Sequence, residues 1–309
     1  VLARIAQELF WLGRNLARAE QTSRLLDGVY QADLQGRPDD PSAAHLSWES
    51  LMHIMGGRRD REVAPDRDAV LDALTRDPDN PASVVACVAR AREGASAVRD
   101  VISAEMWEAI NTTHLRLRDS EVLTRVHTGP YGIYQHVKER SALFWGLTAR
   151  TMLRDEASAF LNAGGRIEAG DMILRMLRVA LPVVPAGNQA DGQAIALLQA
   201  VGGFQAYRRA VPAPAHAGPV ARFLLFERNY PDSVVAAVDA VNASLRTADA
   251  HPRSSEPILR LSRLSADLEF RRSAEEDADL RLTCQEVQRE LGLVDADIAQ
   301  RYFGGARAA

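Results

Sequence analysis

The chain has 309 residues, 47% of them hydrophobic and 25% charged, enough to bury one large core or two smaller ones. A net charge of -4 and a pI near 6.0 exclude the uncompensated cluster of cations that a nucleic-acid surface needs. Lys138 is the sole lysine, so guanidinium groups supply nearly all of the cationic chemistry. Cys87 and Cys284 sit in apolar helical patterns with no CxxC or CxxH spacing, and they read as core thiols of a reducing compartment.

In chain order, Leu2, Ile5, Leu9, Leu12, Leu16, Ala19, Ser23 and Leu26 alternate spacings of three and four, the seam of a helix packed along its length. Arg4 and Glu8 break the apolar run a signal peptide requires, so a cytoplasmic protein is expected. Gly36 to Pro41 ends this helix, and a second helix with Trp48 runs to a stop at Gly56-Gly57. A charged loop at 58–67 precedes a short helix near 68–76. Asn80-Pro81 then signals a start. From there Val84, Val88, Ala91, Ala95, Val98, Ile102, Met106 and Ala109 predict one long helix ending near Thr113. Another is expected from about 119, bending at Gly129-Pro130 and continuing through Tyr134, Val137, Phe144 and Leu147 to Phe160.

Helices at 164–181, 191–202 and 231–249 follow, with the apolar run Phe223-Leu224-Leu225-Phe226 between the last two. Pro252 and Pro257 punctuate the next connection, and Glu275-Glu276-Asp277 marks the N-terminus of a later helix. The apolar run Val179 to Val184, interrupted by Pro182, is too short to span a bilayer. Alternating runs bounded by Asn-Gly or Asp-Gly turns are absent, so the expected fold class is all-α.

One stretch occurs twice. LFWLGRNLARAEQTSRLL at 9–26 aligns with FLNAGGRIEAGDMILRML at 160–177, pairing Gly13 with Gly164, Leu16 with Ile167, Glu20 with Asp171, Arg24 with Arg175 and Leu26 with Leu177. Asn80 to Val85 aligns with Tyr230 to Val235, and Leu51 to Gly57 with Leu197 to Gly203. The offsets of 151, 150 and 146 differ by no more than surface-loop insertions allow. They predict two tandem homologous helical units, 1–150 and 151–309, packed with pseudo-two-fold symmetry into one bundle.

With these blocks, RAREGASAVRDVISAEMWEAIN at 90–111, TMLRDEASAF at 151–160 and the terminal Arg301-Tyr302-Phe303, the chain resembles the alpha-E family over nearly its whole length. That is a bacterial all-helical domain, typically duplicated in tandem and named for a Glu-Arg motif. The resemblance implies work in a peptide synthesis or modification system, beside circularly permuted ATP-grasp ligases and transglutaminase-like proteins. The motif looks like Gly-Arg-x-Leu-Glu-Arg-Ala-Glu/Asp. Here the first copy has Ala17 in place of Glu but keeps Arg18, and the second keeps Glu168 but has Ala169 in place of Arg. The pattern Arg-Glu-Asn-Ala-Arg stands as Arg92-Glu93-Gly94-Ala95-Ser96.

Glu20 with Arg24 and Asp171 with Arg175 are i,i+4 pairs, and Glu168 shares the arc of Asp171. One reading is a polar groove between the copies that holds a peptide or amino-acid carboxylate on arginine forks. The other is a salt-bridge network that sets helix register. Glu105 falls on the face of Val98 and Ile102, where burial would demand a partner such as Arg92, Arg99, Arg14, Arg18 or Arg24. Trp107 beside it is a candidate ligand platform.

The histidines are scattered, and neither HExxH nor paired Glu-x-x-His is present, so no metal and no cofactor is expected. The leading functional expectation is an accessory module that binds a peptide or docks an ATP-grasp ligase or transglutaminase-like partner. The alternatives are an enzyme acting on peptide amides, with Glu168, Asp171 and Glu105 as acid-base residues, and a structural homodimer.

Overall fold

The three-and-four stripe at the start of the chain folds as one helix, α1 (Ala3–Leu34), because nothing in it breaks the period and no proline enters before residue 38. The computed structural model describes residues 2–34, 46–56, 66–180, 189–273 and 279–304. All regular elements among these residues are helical. The first half continues with α2 (Trp48–Ile54), α3 (Arg67–Leu71) running on into a π-turn at Asp72–Arg76, α4 (Val84–Ala97), α5 (Ala104–Leu117), α6 (Ser120–Leu123) and α7 (Tyr131–Thr151). The second half holds α8 (Glu156–Ala180), α9 (Gln189–Ala200), α10 (Phe204–Ala210), α11 (Ala217–Phe226), α12 (Val234–Ala248), α13 (Glu256–Ser273) and α14 (Leu280–Tyr302). The expected break at Gly36 to Pro41, the loop at 58–65 and the acidic run Glu275 to Asp277 lie outside the described residues; α14 starts instead from Asp279, whose carboxylate accepts from the amides of Arg281 and Leu282.

Several expected boundaries move. The long helix of 81–113 is two helices, because Ser103 accepts a hydrogen bond from the Met106 amide and starts α5 afresh after α4 ends at Val98. Its first half is capped by Ser83, not by Asn80. Asn80 instead accepts from the Ala82 amide and donates to the Ala73 carbonyl, tying down the loop ahead of the helix. The helix expected to reach Phe160 stops at Thr151, and Asp155, accepting from the amides of Ala157 and Ser158, opens α8 eight residues earlier than the sequence periodicity suggests.

The most extensive helix contact joins α1 to α8; α4 and α7 pack on α1, and α12 and α14 on α8. One apolar core runs through both halves. At the crossing the two backbones touch. A Cβ at Gly13 would stand 2.2 Å from the Leu161 carbonyl oxygen, and one at Gly164 would stand 1.9 Å from the Phe10 carbonyl oxygen. The contact is reciprocal, since the repeat register pairs Gly13 with Gly164 and Phe10 with Leu161.

The helix starts show the same correspondence. Ser83 accepts from the Ala86 amide and donates to the Asp77 carbonyl; Ser233 accepts from the Ala236 amide and donates to the Glu227 carbonyl. At the far end Phe303 packs its ring against Phe10 and Phe160, while Arg301 and Tyr302 both bond the Asp249 carboxylate. The C-terminus of α14 thus pins the N-terminal ends of α1 and α8 together. Cys87 and Cys284 are free and buried, and burial pushes both thiols up to about 12, so they stay protonated and unreactive at neutral pH.

Gly164→Ala is expected to cost about 3 kcal/mol or more, because the neighbour it meets is backbone that cannot rotate away. Gly292→Ala on α14, where a Cβ meets nothing, is expected to be neutral or to stabilise by up to about 1 kcal/mol. Denaturant midpoints of the two variants check this; equal midpoints would show that the crossing tolerates separation.

Candidate functional site

Beyond the glycine contact α1 and α8 diverge enough to admit side chains, and two unlike environments form between them. The first is a buried ion cluster. The Glu168 carboxylate, 1% exposed, takes the Arg14 Nε at 3.0 Å and the Arg18 Nε and Nη2 at 2.6 and 2.9 Å. Arg14 reaches on to Asp295 of α14 at 2.7 Å and lies over the Trp11 ring. Two guanidinia and two carboxylates balance in charge. Burial by itself would raise the Glu168 carboxyl, but the fields and hydrogen bonds of Arg14 and Arg18 overcome it and hold it near about 2. Arg14 and Arg18 are raised in turn: burial disfavours their charge, and Glu168 more than restores it.

This cluster joins the two incomplete motifs. Arg18 comes from the copy that has Ala17, and Glu168 from the copy that has Ala169. A glutamate of α8 and an arginine of α1 are therefore joined between the two helices, as a two-pronged bridge.

The second environment is a cavity of about 340 Å³ on another flank of the same crossing. Ala17, Glu20, Gln21 and Arg24 of α1 form one wall, Ala142, Trp145 and Ala149 of α7 another, and Asn162, Gly165, Arg166 and Ala169 of α8 a third; Val201 and Asp232 close it. Glu20 accepts from Arg24 Nε and Nη2 at 3.0 and 2.8 Å and from the Ser141 hydroxyl at 2.6 Å. Arg166 donates to the Pro231 carbonyl and to Asp232 at 3.0 and 3.2 Å. Burial lifts the Asp232 carboxyl above its ordinary value, Arg166 and Arg24 draw it back, and Glu20 adds to the rise. The Gln21 Oε1 is buried with no partner among the described residues. Trp145 can lie against α8 because position 165 is glycine; a Cβ there would stand 2.6 Å from the ring.

The sequence candidates divide between these places and others. Glu20 and Arg24 line the cavity; Arg14, Arg18 and Glu168 make the buried cluster. Asp171 and Arg175 pair at 2.6 Å but face α14, where Gln288 donates to Asp171, so the two i,i+4 pairs do not converge on one groove. Glu168 is locked as a carboxylate between guanidinia, which removes it as a general acid or base.

Glu105 is exposed in the first turn of α5, because the helix break at Val98 to Ser103 rotates it off the face of Val98 and Ile102; it does not line the cavity between α1, α7 and α8. Arg92 and Arg99 both lie over the Trp107 ring, at 5.4 and 4.5 Å, and Arg92 bonds Asn111, so these three fasten α4 to α5 away from the cavity.

Trp145, Arg166, Asp232 and Gln21 were not singled out from sequence. The signal available for three of them is a difference between aligned positions: Gln21 against Met172, Arg166 against Asn15 and Asp232 against Ala82. Among the described residues no group of three or more His, Cys, Asp or Glu is placed to hold a metal ion, and no helix is long and apolar enough to cross a membrane.

Residues 1–303 match the Alpha-E family, described as a predicted alpha-helical domain with a conserved ER motif. The chain belongs to that family. Uncharacterized proteins of Mycobacterium tuberculosis and Mycobacterium bovis are each 26% identical to it over 276 residues, covering 82% of this chain. The chain spans 31% of the length of those relatives. No solved structure matches.

Glu168→Gln is expected to cost about 3–5 kcal/mol, since it leaves two guanidinia buried against a neutral amide. With the folded carboxyl held below its ordinary 4.5, the cluster's contribution is complete above that pH and is lost as pH falls from 4.5 toward about 2. Urea titrations across that window are expected to show a steep acid loss in the natural protein and a flatter one in Glu168→Gln; parallel curves would place the acid sensitivity elsewhere.

Proposed function

We propose that the chain is a tandem pair of helical units that serves as a non-catalytic binding module in a peptide synthesis or modification system, holding an amino-acid or short-peptide substrate for a circularly permuted ATP-grasp ligase or a transglutaminase-like partner. The single observation that carries this reading is the charge arrangement of the cavity between α1, α7 and α8. Two carboxylates, Glu20 and Asp232, and two guanidinia, Arg24 and Arg166, stand around an indole wall.

Such a site offers donors for a carboxylate, acceptors for an ammonium and an apolar surface for a side chain. Its volume lies near the lower end of small-ligand pockets, about 300–1,000 Å³. The binding role is favoured over catalysis because, of the three carboxylates weighed as acid-base residues, Glu168 is sealed by arginines, Asp171 is paired toward α14 and Glu105 is exposed away from this cavity.

Calorimetric titration with dipeptides tests the ligand half of the reading. Arg24→Ala is expected to weaken binding by about tenfold or more, the worth of one charge-assisted hydrogen bond. Its thermal midpoint should change little, because Glu20 keeps the Ser141 hydroxyl and a partly exposed i,i+4 pair contributes about 0.3–0.5 kcal/mol. A large fall in midpoint with intact binding would make the pair structural. Ligase turnover with and without the chain tests the partner half, and no change together with no co-purification would remove it.

A further inference from the structure

The ion cluster and the cavity occupy corresponding places. In the repeat register Arg14 corresponds to Gly165, Ala17 to Glu168 and Arg18 to Ala169. Glu168 with Arg14 and Arg18 makes the cluster; Ala17 with Gly165 and Ala169 lines the cavity. The reciprocal glycine contact puts the two sets at matching distances from the crossing. Where one side is filled by a carboxylate and guanidinia, the other has only a methyl group or hydrogen at those positions.

Other positions have changed with them. Asp295 on α14, which holds Arg14, corresponds to Trp145 on α7, which covers Gly165. Gln21 corresponds to Met172, Arg166 to Asn15 and Asp232 to Ala82, so at these three places the cavity side carries the more polar or charged group. A cavity left by simple decay of an ion pair would have apolar walls. This one has gained ligand-facing groups.

We propose that the cavity is the vacated half of a two-fold pair of Glu-Arg bridges, and that its ligand is a zwitterionic free α-amino acid with an apolar side chain. The inference rests on the binding-module reading above and names its ligand. What is absent at positions 17, 145, 165 and 169 is two carboxylates and two guanidinia, a set with no net charge. The ligand's own carboxylate and ammonium replace them, one anion and one cation, against walls that are already charge-balanced. The carboxylate meets Arg24 and Arg166. The ammonium meets Asp232 and Glu20, and the side chain lies on Trp145 and Val201.

A ligand charged at one end only would leave the other sign unanswered in a partly desolvated space. The cluster side cannot bind in the same way, because its space is occupied by side chains, so one molecule binds per chain.

Titration of the natural protein with L-leucine, N-acetyl-L-leucine, L-leucinamide and end-blocked leucine dipeptides tests the charge requirement. L-leucine is expected to bind with a stoichiometry of one, and removal of either charge to weaken binding about tenfold or more. The double variant Ala17→Glu with Ala169→Arg rebuilds the missing bridge inside the cavity; it is expected to fold and to lose L-leucine binding. Capped analogues binding as tightly as L-leucine, or a folded double variant that still binds it normally, would overturn the proposal. If the double variant does not fold, the capped-ligand comparison decides alone. Binding of end-blocked dipeptides but not of L-leucine would end this inference while leaving the binding-module reading in place, and no binding of any of them would end both.

Discussion

Two helices touching backbone to backbone at Gly13 and Gly164 set the geometry of everything else in this chain. At that spacing no side chain fits between α1 and α8, so the polar residues one turn away must either bridge the two helices directly or leave space. The approach is closed at its N-terminal end by Phe303 on Phe10 and Phe160, held in place by Asp249 with Arg301 and Tyr302. Flanking helices then pack on each member of the central pair. One side of the crossing is left uncovered, and the cavity forms there.

The buried bridge and the cavity show opposite solutions to the same electrostatic problem. A carboxylate in the interior is costly unless its charge is met at close range, and Glu168 meets that condition with two guanidinia. Its depressed pKa records how strongly the ionised form is favoured there, and it also explains why the residue is poorly suited to acid-base chemistry. On the cavity side the same positions are small, and the nearest charged groups are Glu20, Arg24, Arg166 and Asp232, which pair with one another and remain partly exposed. An internal ion cluster that holds two helices and an open cavity beside them are built from equivalent positions.

Helices were legible wherever the apolar period ran unbroken, as in α1, α8 and α12, because burial of a continuous stripe needs only local spacing. Breaks were less legible. Val98 and Ile102 keep an apolar rhythm across the junction of α4 and α5, so the hydrophobic pattern continued while the backbone did not; the Ser103 cap was the signal that outweighed it. The misplacement of Glu105 followed directly, since a few non-helical residues change the direction of every side chain after them. Glu20 with Arg24 and Asp171 with Arg175 were readable as pairs because i,i+4 spacing is local. That they face different neighbours was not, because α7 and α14 approach from distant parts of the chain.

Residue order alone determined the all-helical class, the Alpha-E membership and the two incomplete Glu-Arg motifs, for these depend on spacing and residue type along a continuous segment. Tertiary structure alone decided that Arg18 and Glu168 complete one another across 150 positions, that Asp295 holds Arg14, and that Trp145 and Asp232 enclose the space beside Ala17 and Ala169. The physical reason is that charge compensation and cavity volume are properties of groups brought together by packing, and no local periodicity encodes which distant helix will supply the counterion or leave the gap.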